Sequence, residues 1–364
     1  MTIALDAPFG AERTGRFTTA GLVKAGVGLA IGTGATALIL GTAQTGPEGD
    51  ARLAHPDPTG NVLTDGVPRL AEPLWGVQNW PVVFGTAFLV VAAVVMTPFI
   101  VQSIRQRRLN QGLMVFACVM AMSLLDPIAN WVSFTVYDPR LLHFPSTWTW
   151  MRFSPSVEPV LVVPGYPFYY FTIALISFGF GQRYVLSRLQ PGSWWRAHPR
   201  TTLFAVGFGI ATLWDIPTEL LMIRANMYAY SQSFGPRIEW GGSHAGLPLI
   251  WSLYTILSIA AITPFLHRDD DGGSLLTSLA ARLPKRPKAG RANQPSGQSA
   301  GRQILAGSIT LCAIYLVITA GYFVIRVSGV AENAPAHGWP YGEIKTYDPY
   351  GVLEADGIPG PYYE

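Results

Sequence analysis

The chain has 364 residues, of which 49% are hydrophobic, 12% aromatic and only 13% charged, with a formal net charge of +3. Soluble domains carry about 25% charged residues, so this composition points to an integral membrane protein and away from a soluble one. The basic residues cluster between apolar runs and the net charge is small, which argues against a nucleic-acid partner, and Cys118 and Cys312 lie inside apolar runs, where a core role is expected and no disulfide framework.

Residues 1–20 are polar, with Arg13 and Arg16 ahead of the first apolar run, and no cleavable signal peptide is expected there. Crossing a bilayer takes roughly 20 apolar residues. Seven stretches qualify: about 22–43, 80–102, 111–136, 159–182, 202–225, 246–266 and 303–326. The first is rich in small residues (Gly26, Gly28, Gly32, Gly34), which suit close helix packing. The expected fold class is therefore all-α, an integral membrane bundle of about seven transmembrane helices. Its parts would be a polar segment 1–20, a six-helix membrane core 21–267, a flexible linker 268–302, a seventh helix 303–326 and a tail 327–364.

The connections set the orientation. Arg105, Arg107 and Arg108 follow the second stretch, Arg183, Arg188, Arg196 and Arg200 follow the fourth, and Arg282 to Arg302 follow the sixth. The alternate connections are less basic, so the positive-inside rule places the N-terminus in the cytoplasm and the C-terminus outside. The linker opens with Asp269, Asp270 and Asp271 and continues with Lys, Arg, Pro, Gly and Ser, which reads as solvated chain. The outer connections and the tail are rich in Pro, Gly, Trp, Tyr and Phe, as interfacial aromatic belts are. A tail folded over the bundle mouth as a lid is the other reading.

Two segments carry chemistry. Leu213-Trp214-Asp215-Ile216-Pro217-Thr218-Glu219 places two carboxyl groups four residues apart, on one helix face, inside a membrane stretch. Ionisable groups there are expensive and mark a functional site by default. Pro217 between them is expected to kink the helix and free the Leu213 carbonyl. The third stretch repeats the pattern with Asp126-Pro127-Ile128-Ala129-Asn130-Trp131. A weak parallel duplication of helix pairs, with Glu158 and His244 opening the two following stretches, would explain it; so would coincidence. On the topology above, Asp126, Asn130, Asp215, Glu219 and Glu158 fall in the outer half of the membrane, and Tyr166 and Tyr169 lie on the helical face of Glu158. Carboxyl groups crowded in low dielectric do not all ionise, so such a cavity could hold an acid beside a base. A buried structural role for Asp126, or plain solvation for Glu158 and His244, is the bland alternative. No metal set, haem ligand pair, nucleotide loop or nucleophile elbow is found in the sequence, and no cofactor is expected.

With Asp126-Pro-Ile-Ala-Asn130 and Asp215-Ile-Pro-Thr-Glu219 set in a seven-span chain, the sequence resembles the AveC-type spirocyclase family across roughly its second to seventh stretches. The resemblance implies an integral-membrane cyclase whose namesake closes a spiroketal by dehydrative cyclisation of a hydroxy-ketone, acting on a lipophilic small molecule taken from the bilayer. Asp126, Glu158, Asp215 and Glu219 are the candidate catalytic residues. Asn130, Trp131, Tyr166, Tyr169, Trp214 and His244 are the candidate substrate contacts, the aromatic ones by cation–π shielding. Proton-initiated cyclisation of an isoprenoid, as in membrane terpene cyclases, remains open, as does a proton-coupled transporter.

Overall fold

A computed structural model describes residues 74–77, 80–137, 165–225, 227–230, 232–238, 240, 246–284, 299–333, 346–347 and 362–363. The chain is mostly helical. Its main helices are α1 (Trp80–Gln106), α2 (Gln111–Ser123), α3 (Asp126–Val132), α4 (Gly165–Phe180), α5 (Pro199–Arg224), α6 (Leu249–Ile262), α7 (Leu275–Arg282) and α8 (Ala300–Ser328). Local chemistry sets several of their ends. The Asn110 side chain accepts from the Leu113 N–H at 2.8 Å to start α2, and Pro199 opens α5, where a missing N–H is harmless. Ser274 and Thr277 form a capping box on α7, and Gly329 ends α8 at φ 66°, a conformation glycine adopts freely.

Among the described residues, three helical segments are long and apolar enough to cross a membrane: Pro199–Arg224, Leu249–Leu266 and Ala300–Ser328. A fourth arises if α2 and α3 count as one broken span. That break corrects the expectation of a continuous third span over 111–136. The two helices meet at 50°, and Leu124 and Leu125 make tighter bonds to Ala121 and Met122 across the joint. The cause is Pro127, which has no N–H to offer the Ser123 carbonyl and so cannot continue α2. Pro217 behaves differently. Helix α5 runs through it without interruption, and the Trp214 carbonyl receives the Thr218 hydroxyl at 2.7 Å.

The bundle closes through small residues and rings. On α5, a Cβ at Gly207 would stand 2.6 Å from Thr263 Oγ1 and 3.2 Å from the Ala260 Cα, so α5 and α6 touch nearly backbone to backbone. At Gly307 on α8 it would meet Cys118 Sγ of α2 at 2.6 Å. Cys118 is buried and Cys312 half-buried, both as free thiols in apolar surroundings. Phe171 of α4 packs edge-on against Phe99 of α1 and Phe116 of α2, with centroids 5.6 Å apart in each pair.

The all-α expectation also misses short strands at one end of the bundle. β1 (Thr135–Tyr137) follows α3 and β2 (Tyr228–Tyr230) follows α5; the two pair antiparallel, with Val136 opposite Ala229. β3 (Gln232–Ser233) pairs with β6 (Glu332–Asn333), and β4 (Arg237–Ile238) with β5 (Leu247–Pro248). β7 (Thr346–Tyr347) and β8 (Tyr362–Tyr363), in the tail, pair in parallel. The segment 268–284 departs from a solvated linker. Backbone bonds between Asp269 and Gly273 form a tight turn, and α7 buries Leu276 and Ala280 against α8, where Arg302 Nε donates to the Ala280 carbonyl at 2.9 Å. Asp269 pairs with Arg200 at 2.6 Å and lies 3.6 Å from His267. Burial pushes the His267 imidazole below the usual histidine range, against the pull of Asp269. The proposed first span 22–43 and most of the tail lie outside the described residues.

The Gly207 contact yields a paired prediction. G207V should lower the thermal unfolding midpoint in detergent, by the equivalent of about 1–3 kcal/mol for overpacking. G209A, two residues away with nothing within 4 Å of its Cβ, should leave the midpoint unchanged or raise it, because alanine is the better helix former.

Candidate functional site: a hydroxyl-lined carboxyl cavity

The end of the bundle that carries β1 and β2 holds a small cavity, with about 40 Å³ of free space among its walls. Its walls come from α3, α4, α5 and α6 and from the two paired strands. Asp126, Asp215 and Glu219 all line it, and they are 4%, 0% and 6% exposed. The sequence places Asp215 and Glu219 on one turn of α5. The 50° break turns α3 so that Asp126, at its first residue, joins them.

Each carboxyl group is met by neutral donors. Asp126 accepts from Asn130 Nδ2 at 3.0 Å on one oxygen and from the Tyr315 hydroxyl at 2.8 Å on the other. Glu219 accepts from Ser252 Oγ at 2.7 Å and from the Tyr230 hydroxyl at 3.3 Å, again one on each oxygen. Asp215 differs. Tyr169 donates to its Oδ1 at 2.9 Å, whereas Oδ2 is buried with no partner among the described residues. A buried acceptor left unpaired costs about 1–3 kcal/mol, so this oxygen calls for a reason to be there.

A ring of further hydroxyls surrounds these acids. Tyr137, Tyr170, Tyr228 and Tyr254 line the cavity, and Tyr137 donates to Asn130 Oδ1 at 3.5 Å. Behind the wall, Tyr254 shares a hydrogen bond with Thr319 at 3.2 Å and packs edge-on against Tyr315 at 4.9 Å. Among the described residues, no Lys, Arg or His belongs to the lining. Among the described residues, no three His, Cys, Asp or Glu side chains converge closely enough to hold a metal ion.

The structure thus brings together Asp126, Asn130, Tyr169, Asp215 and Glu219 from the sequence candidates. Two tryptophans do not join them. Trp214 is half exposed on the outside of α5, because consecutive helical residues point about 100° apart and Asp215 takes the inward position. Trp131 lies under the Arg326 guanidinium, 4.6 Å from its ring, with Phe134 on the same guanidinium at 4.3 Å. Glu158 and His244 lie outside the described residues, as does the side chain of Tyr166. Sequence reasoning missed Tyr230, Ser252, Tyr254 and Tyr315. One signal was available: Tyr315, Thr319 and Tyr322 recur at helical spacing, a polar stripe along an otherwise apolar span.

Fold and site together define a class: a mostly helical protein with three or four potential membrane crossings and a closed set of carboxyl groups at one end. The profile of the spirocyclase AveC-like family matches residues 106–347, about two thirds of the chain and all of the cavity residues named above, and the chain belongs to that family. Membership suggests a cyclase role. No curated protein and no solved structure matches the chain.

The donor pattern predicts how the acids hold the fold. S252A removes the 2.7 Å donor to Glu219 and should lower stability by about 1–3 kcal/mol, the penalty for a buried acceptor left unpaired. S252T keeps the hydroxyl and should recover most of it. Thermal unfolding of the purified variants checks both.

Proposed function

We propose that the protein is a membrane-embedded cyclase that closes an oxygen heterocycle on a neutral, lipophilic substrate, with Asp215 as the acid that touches it. The observation that carries this reading is Oδ2 of Asp215, a buried acid oxygen with no partner among the described residues. Tyr169 holds the opposite oxygen and so positions the free one. Glu219 and Asp126 are each held on both oxygens by neutral donors, which fixes their positions near a developing cation.

The steps balance on this set. A ketone bearing two hydroxyl arms is first in equilibrium with its hemiketal. Asp215 protonates the hemiketal hydroxyl, the C–O bond breaks, and water leaves an oxocarbenium ion. The second hydroxyl attacks that carbon, and its proton returns to Asp215, so the product is the spiroketal plus one water. Glu219 lies one turn away to stabilise the cation. The cavity's tyrosines shield it further through their ring faces.

The lining supports this reading over the alternatives. A hydrocarbon isoprenoid would offer Asp215 Oδ2 no hydrogen-bonding group in place of its missing partner. Among the described lining residues, an isoprenoid diphosphate would meet acids and no cation. A substrate with hydroxyl and carbonyl oxygens brings a hydroxyl group to pair with Oδ2. Proton-coupled transport is the remaining competitor, and its carboxyl groups would need a route to the far side of the bundle.

The test uses membranes containing the full chain and a synthetic dihydroxyketone that closes to a spiroketal. D215N should lower the enzyme-dependent rate about 10²–10⁴-fold, the usual contribution of a general acid. E219Q should lower it less. Wild-type rates in D215N membranes would overturn the assignment, and proton flux through liposomes without product would favour transport.

A further inference from the structure

The connection between α4 and α5 carries a second feature, unconnected with the cavity. Helix α4 passes into a π-helical turn, Gly181–Val185, followed by a 3-10 turn to Arg188 and a single helical turn, Trp194–Ala197. Four large aromatic side chains stand out along it: Phe180, Tyr184, Trp194 and Trp195 are 43–55% exposed. Arg183 and Arg188 place their guanidinium groups over the Tyr184 ring, at 5.4 and 5.5 Å. Arg196 donates to the Leu189 carbonyl at 2.7 Å and ties the two halves of the connection together. Trp194 stacks on His198 with centroids 4.4 Å apart.

Charge gives this shelf its partner. No Asp or Glu occurs anywhere from residue 159 to 214. Among the described residues, no carboxylate lies within ion-pair distance of Arg183, Arg188 or Arg196; the pair in this region is Arg200 with Asp269. Exposed tryptophan and tyrosine favour the boundary between acyl chains and headgroups. Guanidinium groups bind phosphate oxygens through paired N–H donors, and three of them disfavour a headgroup that also carries an ammonium.

We propose that this aromatic–arginine shelf docks an anionic phospholipid headgroup, of the phosphatidylglycerol type. The proposal rests on the reading of the flanking helices as membrane spans, and alkaline carbonate extraction checks that premise separately: retention in the membrane pellet upholds it, and release removes it.

The lipid test follows thermal unfolding of the detergent-purified full chain as phosphatidylglycerol, phosphatidylcholine or inorganic phosphate is added. Phosphatidylglycerol should raise the midpoint of the wild type, and the half-saturating concentration should rise about fivefold for each arginine removed. R183Q/R188Q alters side chains that, unlike Arg196, hold no backbone carbonyl among the described residues and so keeps the connection folded, while R183Q/R188Q/R196Q removes all three charges. An unchanged half-saturation in R183Q/R188Q would contradict the proposal, as would an equal response to phosphatidylcholine. A midpoint shift reproduced by inorganic phosphate would assign the site to free anion instead and overturn the lipid assignment.

Discussion

Three carboxyl groups inside an apolar bundle must each find hydrogen-bond donors, because a buried acceptor or charge without them is costly. In this chain the donors are neutral hydroxyl and amide groups: Tyr169, Tyr230, Ser252, Tyr315 and Asn130. They come from α3, α4, α6, α8 and β2, so satisfying the acids requires most of the bundle to be assembled around α5. The short β1–β2 pair has the same dependence, since β2 carries Tyr230 and its partner strand carries Tyr137 towards Asn130. Architecture and site are therefore one set of interactions.

Neutral donors also shape the chemistry. Arginine or lysine partners would fix every acid as a stable ion pair; hydroxyls leave a carboxyl group able to take up and release a proton. Of the six oxygens on these three acids, five accept a hydrogen bond, and the sixth, Oδ2 of Asp215, is buried with no partner among the described residues. A family whose membership suggests cyclisation is consistent with such a layout.

Much of this was legible in the sequence for a simple reason. A carboxyl group within an apolar run is conspicuous, and the four-residue spacings of Asp126 with Asn130 and Asp215 with Glu219 put each pair on one helix face. The long spans ending at Arg224, Leu266 and Ser328 follow from apolar length alone. Other features depend on contacts remote in sequence. Tyr315 reaches Asp126 across 189 residues, and no local pattern announces that bond. The two prolines had similar local settings but different outcomes. Pro127 begins a new helix at a 50° bend, whereas Pro217 is carried within a continuous one. Trp214 was placed in the site by its neighbourhood to Asp215, although adjacent helical residues face different ways.

The central proposal is that Asp215 acts as the acid, because it alone among the three carboxyl groups has an oxygen without a partner among the described residues. A hydrophobic carbodiimide, which reacts with protonated carboxyl groups in apolar surroundings, tests it directly on unaltered protein in its membrane. Peptide mass spectrometry after brief labelling should find the adduct on Asp215 ahead of Asp126 and Glu219. Labelling of Asp126 or Glu219 first would contradict the account.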